Sequence, residues 1–358
     1  MKQSERNYKR IVIKIGSSLF YKGGKLDDSR LFDIVSQISS LVVNEKKEVI
    51  IVSSGAIALG MEIMKLKERP KELRILQAAA AIGQNALMQK YSEKFTAYKN
   101  FKVNCAQILL TWDDFDNRER YLNAKNTLFT LLKLGTVPII NENDTVSTEE
   151  IKFGDNDRLS ALVATMISAD LLVILSDVDG LLDKDKNMVR VVDEINSEIK
   201  SLACPTNKRT CVGGMITKLE AARIAVDSGI PCVIANGNRA GVIGHLALGP
   251  RSAGTLFMPK KCLDAKQRWI AFGTKSKGRI IIDAGAKAAL INKKSLLSVG
   301  VIRSEGNFES GDIVSVIDTG NLELARGKTG LSSKQLDKVK GERCSKEVIH
   351  RDNIVILQ

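Results

Sequence analysis

Histidine and cysteine motifs are scarce in this sequence, which has only two histidines and no Cys-x-x-Cys pair among its six cysteines. Because histidine is the commonest general base in proteins, its scarcity argues against histidine-based nucleophilic or general-base catalysis. Scattered cysteines without a pairing motif are typical of a reduced cytoplasmic protein, and they argue against a disulfide framework or a zinc site. We therefore expect a cytoplasmic protein whose chemistry rests on other side chains.

Long apolar runs are missing as well. The stretch 75–89 carries no charge, but it is shorter than the ~20 apolar residues of a membrane-spanning helix. It also contains Gln77, Gln84 and Asn85. The first ten residues mix acidic and basic side chains, unlike a secretory signal. We expect neither a membrane anchor nor a secretory leader.

The short signatures of several enzyme classes are also absent. The sequence contains no GxxxxGK[ST], GxGxxG, GxSxG, HExxH or DFG motif. These absences argue against a P-loop and against the enzyme classes that the other motifs mark.

What remains is an ordinary globular composition of 358 residues, 44% hydrophobic and 27% charged, a length that suggests roughly two domains. The net charge of +13 is spread along the chain, because the segment from residue 270 holds 15 lysines and arginines against 10 acidic residues. This basic excess fits an anionic small-molecule substrate about as well as it fits a polyanion.

Strands and helices alternate over the first 260 residues. Short β-branched runs predict strands at 10–15, 48–52, 102–110, 137–140, 171–175 and 231–235. Helical periodicity predicts helices at 28–44, 73–99, 119–134, 158–168 and 216–228. This order indicates an open αβα sandwich with a mostly parallel sheet, whose ligands bind outside the carboxyl ends of the strands.

The pattern changes after a polar, charged segment at 259–267. Strand-like runs at 278–282, 299–305 and 313–316 are separated by glycine-containing turns, and helical periodicity is confined to 285–291 and 332–340. We therefore expect a catalytic domain at 1–260, a linker at 261–276 and a small β-rich domain at 277–358.

Three glycine-containing turns could bind an anion. They are Lys14-Ile15-Gly16-Ser17-Ser18, Ser53-Ser54-Gly55-Ala56 and the segment GGMITK at 213–218. Backbone N–H groups beside glycine, helped by a lysine, can bind a phosphate or a carboxylate. Each turn also has a plainer interpretation: a βα turn with a surface lysine, a serine that caps a helix, or an ordinary helix start.

Two polar clusters are harder to explain as ordinary turns. NEND at 141–144 follows a predicted buried strand, and GDND at 154–157 precedes a predicted helix. Helix capping accounts for one acid of the second cluster but not for three adjacent Asp and Asn side chains. A third segment, SDVDG at 176–180, fits a type I turn nearly as well as a site. Lysines on glycine turns together with carboxylates favour phosphoryl transfer, which needs positioning and charge neutralisation more than a covalent intermediate.

Taken together, these segments resemble the amino acid kinase family, and in particular its members that phosphorylate glutamate. The segments that carry the resemblance are KIGSS, SSGAIALG, NRERYLNA, PIINENDTV, KFGDNDRLSALVA, LSDVDGL and VGGMITK, in that order. The region from residue 277 resembles the PUA domain, a small β-rich barrel often appended to those enzymes. The sequence departs from the family pattern at Cys211-Val212, where the family more usually has a small Gly/Thr pair. This departure bears on how the turn would contact the nucleotide.

The resemblance implies ATP-dependent phosphorylation of the γ-carboxylate of L-glutamate, the first step of proline biosynthesis. It implies Mg²⁺ as a cofactor held by the ATP phosphates, with no protein ligands. Lys14 and Lys218 would flank the transferred phosphoryl group, and Asp157 would orient both lysines. The nucleotide would contact residues of three turns, namely Lys14, Gly16, Ser176, Asp177, Gly213, Gly214, Met215, Thr217 and Lys218.

The resemblance further assigns glutamate binding to Ser54, Asp144 and Asn156. The acid suits the α-ammonium group of glutamate, whereas Asn156 and the helix start at Ser54 suit its carboxylate. The resemblance also implies a homo-oligomer and leaves feedback binding of proline open.

Two kinds of alternative remain. Sister kinases that act on acetylglutamate, aspartate or UMP share the fold and the lysines. Asp144 argues against acetylglutamate, which has no free ammonium group, and the C-terminal region does not resemble the paired regulatory domains of an aspartokinase.

An RNA-binding or RNA-modifying protein is the alternative from another class. Phe272 and Phe308 are the only aromatic side chains after residue 270, which argues against RNA recognition as the main role.

Overall fold

The computed structural model describes residues 8–22, 25–98, 103–146, 155–203, 214–250, 253–259, 263–273, 275–342, 344 and 346–357. The chain divides into two compact units, one of residues 1–114 and 119–262 and the other of residues 115–118 and 263–358. In the described part of the chain, no helix is both long enough and apolar enough to cross a membrane.

The first 262 residues alternate strands and helices. The strands are β1 (Arg10–Ile15), β2 (Tyr21–Lys22), β3 (Lys25–Leu26), β4 (Glu48–Ser53), β5 (Cys105–Leu110), β6 (Val137–Glu142), β7 (Leu171–Ser176), β8 (Val191–Val192), β9 (Cys232–Asn236) and β10 (Thr255–Phe257). The helices are α1 (Asp28–Val43), α2 (Ala56–Ile63), α3 (Leu73–Thr96), α4 (Trp112–Asp116), α5 (Arg118–Lys133), α6 (Asp155–Met166), α7 (Ser197–Leu202), α8 (Met215–Asp227) and α9 (Val242–Leu248).

Eight of these strands form one sheet in the order β5-β6-β4-β1-β7-β9-β10-β8. Neighbouring strands are parallel except for β9 and β10, which run antiparallel. The prediction of a mostly parallel α/β sheet is therefore confirmed. Strand β1 lies between β4 and β7, so the residues that follow these strands meet at one edge of the sheet.

The central strands could be predicted from the sequence because they are buried in the core. Strand β7 is buried along its whole length, and β1 and β4 are buried at every position after the first. Strands covered on both faces need continuous apolar side chains, which is the pattern of RIVIKI, EVIIVS and LLVILS. Helix α1 packs its apolar side against this core through Leu31, Ile34 and Ile38.

Helix α6 differs from the prediction at its start. The sequence pattern places the start at residue 158, whereas the helix begins at Asp155. The Asp-Asn-Asp run is therefore the first helical turn and not the loop before it. Acidic side chains are favourable there because they face the positive end of the helix dipole.

The C-terminal region contains a five-stranded sheet with the order β12-β11-β13-β14-β15. Its elements are α10 (Ala265–Arg268), β11 (Gly278–Ile282), α11 (Ala284–Ile291), β12 (Val301–Gly306), β13 (Ile313–Asp318), β14 (Glu323–Lys328), α12 (Ser333–Val339) and β15 (Ile354–Ile356). Only β11 and β13 pair in parallel. The sheet has its own apolar core, which includes Ile280, Phe308 and Val316. The prediction of a separate β-rich region is confirmed, although β14 and β15 were not predicted.

A π-helical turn at Trp269–Gly273 lies inside the segment that the sequence assigns to a linker. Ile270 and Ala271 in this turn are buried with Ile313 and Val355 of the second unit. The domain limits at residues 260 and 277 stay a prediction.

Candidate functional site

Two buried lysines converge on one buried carboxylate at the carboxyl edge of the large sheet. Lys14 lies near the end of strand β1, Asp157 is in the first turn of α6, and Lys218 is in the first turn of α8. Lys14 Nζ lies 2.7 Å from Asp157 Oδ1, and Lys218 Nζ lies 3.4 Å from Asp157 Oδ2. We call these three residues the lysine–aspartate cluster.

Burial makes this cluster unusual. Asp157 is 1% exposed, Lys14 6% and Lys218 9%. Isolated charges are costly in a protein interior, so buried ions are normally paired or part of a site. Here two cations share a single anion, which leaves the cluster with one excess positive charge. That excess would favour an incoming anion.

The pKa values follow from this geometry. Burial alone would raise the pKa of the Asp157 carboxyl, but the charges of Lys14 and Lys218 outweigh burial and hold it below its usual range. Hydrogen bonds from Lys14 and Thr217 act in the same direction. Burial lowers the pKa of the Lys14 ammonium, and the charge of Asp157 opposes that shift. Asp157 therefore favours the charged form of Lys14 and partly offsets the effect of burial.

The start of α8 holds Lys218 in place. Gly214 precedes the helix with a φ of 96°, a left-handed conformation that favours glycine. Its carbonyl accepts hydrogen bonds from Lys218 Nζ and Thr217 Oγ1, both at 3.1 Å. Thr217 Oγ1 lies closer to Asp157 Oδ2, at 2.8 Å, so its single proton is shared between the carboxylate and the Gly214 carbonyl. Thr217, predicted to contact the nucleotide, thus contacts the shared carboxylate, and Met215 is the half-buried first residue of the helix.

Ser54 and Asn156 form a second group beside the lysine–aspartate cluster. Asn156 Nδ2 lies within hydrogen-bond distance of the Ser53 carbonyl (3.1 Å), Ser54 Oγ (2.8 Å) and Asn141 Oδ1 (3.0 Å), and its two N–H groups are shared among these three acceptors. Asn156 Oδ1 is buried and accepts no hydrogen bond from the described residues. The interpretation of Ser54 as a helix cap is wrong, because the N-cap of α2 is Gly55 and no side chain caps that helix.

This geometry changes the expected chemistry of Asn156. The family resemblance pairs the Asn156 side chain with a substrate carboxylate, which would need a free N–H. Its Nδ2 is already directed at three protein oxygens, so the atom left over is an acceptor. An unpaired buried oxygen suits an N–H donor such as an ammonium group.

The other predicted residues lie at the ends of neighbouring strands. Gly16 follows β1, but its N–H donates to the Leu175 carbonyl at 3.1 Å, so this group is not available to a phosphate. Ser176 is buried at the end of β7, and exposed Asp177 follows it. Asp144 is half-buried in the turn after β6. Gly213 and the Cys211-Val212 departure lie outside the described residues.

The side chains of this site do not favour a metal ion bound directly to the protein. Among the described residues, no group of three or more His, Cys, Asp or Glu side chains is arranged to hold a metal ion. Both oxygens of Asp157 face lysine ammonium groups. A Mg²⁺ ion that arrives on a nucleotide fits such a site, because most of its ligands would be phosphate oxygens and water.

Three residues of this region were missed by the sequence analysis. Asn141 belongs to the NEND cluster, but neither it nor Gln84 nor Gln107 is marked as a site residue by any local pattern. Asn141 Nδ2 donates to Gln84 Oε1 at 2.9 Å, and Gln84 Nε2 donates to Gln107 Oε1 at 3.0 Å. The available signal is a buried glutamine in the uncharged middle of α3.

The model of the amino acid kinase family matches residues 9–236 of this chain, and the PUA domain model matches residues 278–351. Among solved structures, carbamate kinase from Giardia lamblia bound to AMP-PNP is similar with a TM-score of 0.51 at 19% sequence identity. The match covers 71% of this chain and 99% of that one. At this identity the likeness shows the fold alone.

Curated relatives match the chain along nearly its whole length. A glutamate 5-kinase of Thermoanaerobacter sp. (strain X514) is 44% identical over 369 residues, which cover 98% of each chain. A glutamate 5-kinase of Dehalococcoides mccartyi (strain ATCC BAA-2266) is 45% identical over 373 residues, covering 98% of this chain and 99% of that one. The chain therefore belongs to the amino acid kinase family, within its glutamate 5-kinase branch, and it carries a C-terminal PUA domain.

Proposed function

We propose that this protein transfers the γ-phosphoryl group of ATP to the γ-carboxylate of L-glutamate, giving L-glutamyl 5-phosphate and ADP. The observation that carries the proposal is the lysine–aspartate cluster at the carboxyl edge of the sheet. The full-length similarity to glutamate 5-kinases supports the choice of substrate. The product would be the first intermediate of proline biosynthesis.

The chemistry needs no general base. A glutamate side chain has an ordinary pKa of about 4.3, so it is already an ionised nucleophile at neutral pH. One carboxylate oxygen attacks the γ-phosphorus, the bond from that phosphorus to the β,γ-bridging oxygen breaks, and ADP leaves with the bridging oxygen. The scarcity of histidine is no obstacle to this reaction.

The main barrier is the repulsion between two anions. Lys14 and Lys218 supply fixed positive charges, and their burial strengthens the attraction because little water screens it. Asp157 holds both ammonium groups at defined positions before the substrates arrive. Mg²⁺ bound to the ATP phosphates would neutralise further negative charge.

The group formed by Ser54 and Asn156, together with Asp144, would bind the amino-acid substrate. The α-ammonium of glutamate would bind Asp144 and the unpaired Asn156 Oδ1, and Ser54 would lie beside it. Gly214, Ser176 and Asp177 would lie on the nucleotide side. Assembly into a homo-oligomer, feedback by proline and RNA binding by the PUA domain stay predictions.

The proposal is tested by substrate-dependent release of ADP in a coupled assay. Purified protein is supplied with ATP and Mg²⁺ and, in separate reactions, with L-glutamate, N-acetylglutamate, L-aspartate or UMP. We expect turnover with L-glutamate and at most trace turnover with the other three. Turnover that prefers acetylglutamate, aspartate or UMP would assign the chain to a sister activity.

Replacing Asp144 by asparagine should raise the KM for glutamate roughly 10-fold or more and leave the KM for ATP nearly unchanged. The reason is the loss of the negative partner of an ammonium group, while side-chain volume is kept. Steady-state kinetics with each substrate varied in turn separates the two constants. An equal increase in both would indicate a metal-binding or structural role for Asp144.

A chain that ends at Lys261 should retain turnover within a few-fold of the full protein. Every residue of the lysine–aspartate cluster precedes residue 261, and the C-terminal sheet has a core of its own. The shortened chain is checked for folding by circular dichroism and then assayed with glutamate. A folded but inactive product would mean that the C-terminal domain completes the active site.

A further inference from the structure

A chain of side-chain amides runs from the edge of the large sheet to Asn156. Gln107 on the edge strand β5 accepts from Gln84 Nε2 (3.0 Å), and Gln84 Oε1 accepts from Asn141 Nδ2 (2.9 Å). Asn141 Oδ1 then accepts from Asn156 Nδ2 (3.0 Å). Gln84 and Asn141 are 8% and 3% exposed, whereas Gln107 is exposed. We call these four side chains the amide relay.

Each buried amide of the relay has one orientation that satisfies its neighbours. Asn141 Oδ1 accepts from the backbone N–H of Glu142 (2.9 Å) as well as from Asn156, so the oxygen must face those two donors. Asn141 Nδ2 must therefore face Gln84, which has to present its oxygen. A flipped Gln84 would set one NH₂ group against another inside the protein, which is costly.

Helix α3 holds Gln84 firmly against this region. A Cβ on Gly83 would lie 1.8 Å from the Ala56 carbonyl oxygen, so α3 and α2 are in direct backbone contact there. Two turns after Gln84, on the same side of the helix, the Tyr91 hydroxyl lies 2.9 Å from Ser53 Oγ. Helix α3 is thus held against α2 beside Gln84 and against the end of β4 two turns later.

We propose that Gln84 is a positioning residue for the amino-acid substrate. Its oxygen keeps Asn141 in one orientation, and Asn141 keeps the Asn156 amide turned so that Oδ1 is left for an N–H donor. That donor is the ammonium group of the amino acid, so the inference rests on the proposed function. Without Gln84, Asn141 Nδ2 is unpaired and the two asparagine amides can reorient, which weakens amino-acid binding but not nucleotide binding.

The test compares three variants. Gln84→Met keeps the size of the side chain and removes the acceptor, and it should raise the KM for glutamate roughly 10-fold with the KM for ATP and kcat within about three-fold. Gln84→Glu keeps an oxygen for Asn141 and should remain within about three-fold of the native KM for glutamate. Gln89→Met, the same substitution at an exposed position of α3, is the matched control and should change neither constant.

The outcomes separate the relay from the proposed function. If the native protein does not turn over glutamate, the proposed function fails. If it does, an unchanged KM in Gln84→Met, equal damage in Gln84→Glu, or a parallel rise in both KM values overturns the positioning role alone. Should Gln84→Met fail to fold by circular dichroism, Gln84→Ala removes the same acceptor without adding apolar volume, and the same criteria apply to it.

Discussion

Replacing Asp157 by asparagine should lower turnover by about 10³-fold or more, the largest loss expected from any single substitution in this protein. The carboxylate is the one anion that we find in contact with both buried lysines among the described residues. Asparagine keeps the shape and removes the charge, so two like charges face each other in a dry site. Breaking such a buried pairing also costs about 3–5 kcal/mol of folding stability. Steady-state kinetics and urea denaturation measure the two effects.

The pH dependence of this variant gives a sharper signature than its activity alone. Burial lowers the pKa of Lys14, and Asp157 opposes that shift. Without the carboxylate, the pKa of Lys14 falls further, and the lysine loses its charge as the pH rises. The residual kcat of Asp157→Asn should therefore increase toward lower pH, relative to that of the native protein. A ratio of the two kcat values that does not change with pH would show that Asp157 does not keep Lys14 charged.

Replacing either lysine by methionine should lower kcat by roughly 10²-fold or more while the protein stays folded. Charge neutralisation at the transferred phosphoryl group is worth several kcal/mol in a water-poor site. Methionine fills the space of the lysine stem without the ammonium group. Lys90→Met is the matched control, because Lys90 pairs with Asp28 on the surface of α1 and α3. Near-native kcat in Lys14→Met or in Lys218→Met would remove that lysine from the mechanism.

The double variant Lys14→Met/Lys218→Met tests whether the lysines act as a pair. Groups that serve one function through a shared partner are expected to be non-additive. The double variant should therefore lose less activity than the product of the two single losses. Fully multiplicative losses would indicate two independent roles.

The large sheet was predictable from the sequence because its strands are buried on both faces. RIVIKI, EVIIVS and LLVILS read as continuous apolar runs for that reason. The short strands β8 and β10 were not predicted, since two or three residues carry no periodic signal. Strand β14 was not predicted because it contains the charged residues Glu323, Arg326 and Lys328. It forms a strand because it pairs with β13 and β15, which its own composition does not reveal.

Short sequence motifs were enough to predict individual site residues but not the contacts between residues that are distant in the sequence. Lysines on glycine turns and adjacent Asp and Asn side chains mark Lys14, Lys218 and Asp157 as candidates. The hydrogen bond from Gly16 N–H to Leu175 depends on β1 lying next to β7, which no local pattern reveals. The pairing of Gln84 with Asn141 joins residues far apart in the chain, and it decides which atom Asn156 offers.

The central claim is that the γ-carboxylate of glutamate is the nucleophile that attacks ATP. It is tested most directly with L-glutamate that carries ¹⁸O in its γ-carboxylate. The product is trapped with hydroxylamine, which attacks the acyl carbon and releases phosphate with the oxygen that bridged carbon and phosphorus. We predict that the released phosphate carries one ¹⁸O atom and that the trapped product is the γ-hydroxamate of glutamate. Phosphate without ¹⁸O, formed while ADP is released, would contradict the claim, because ATP would then have been attacked by water.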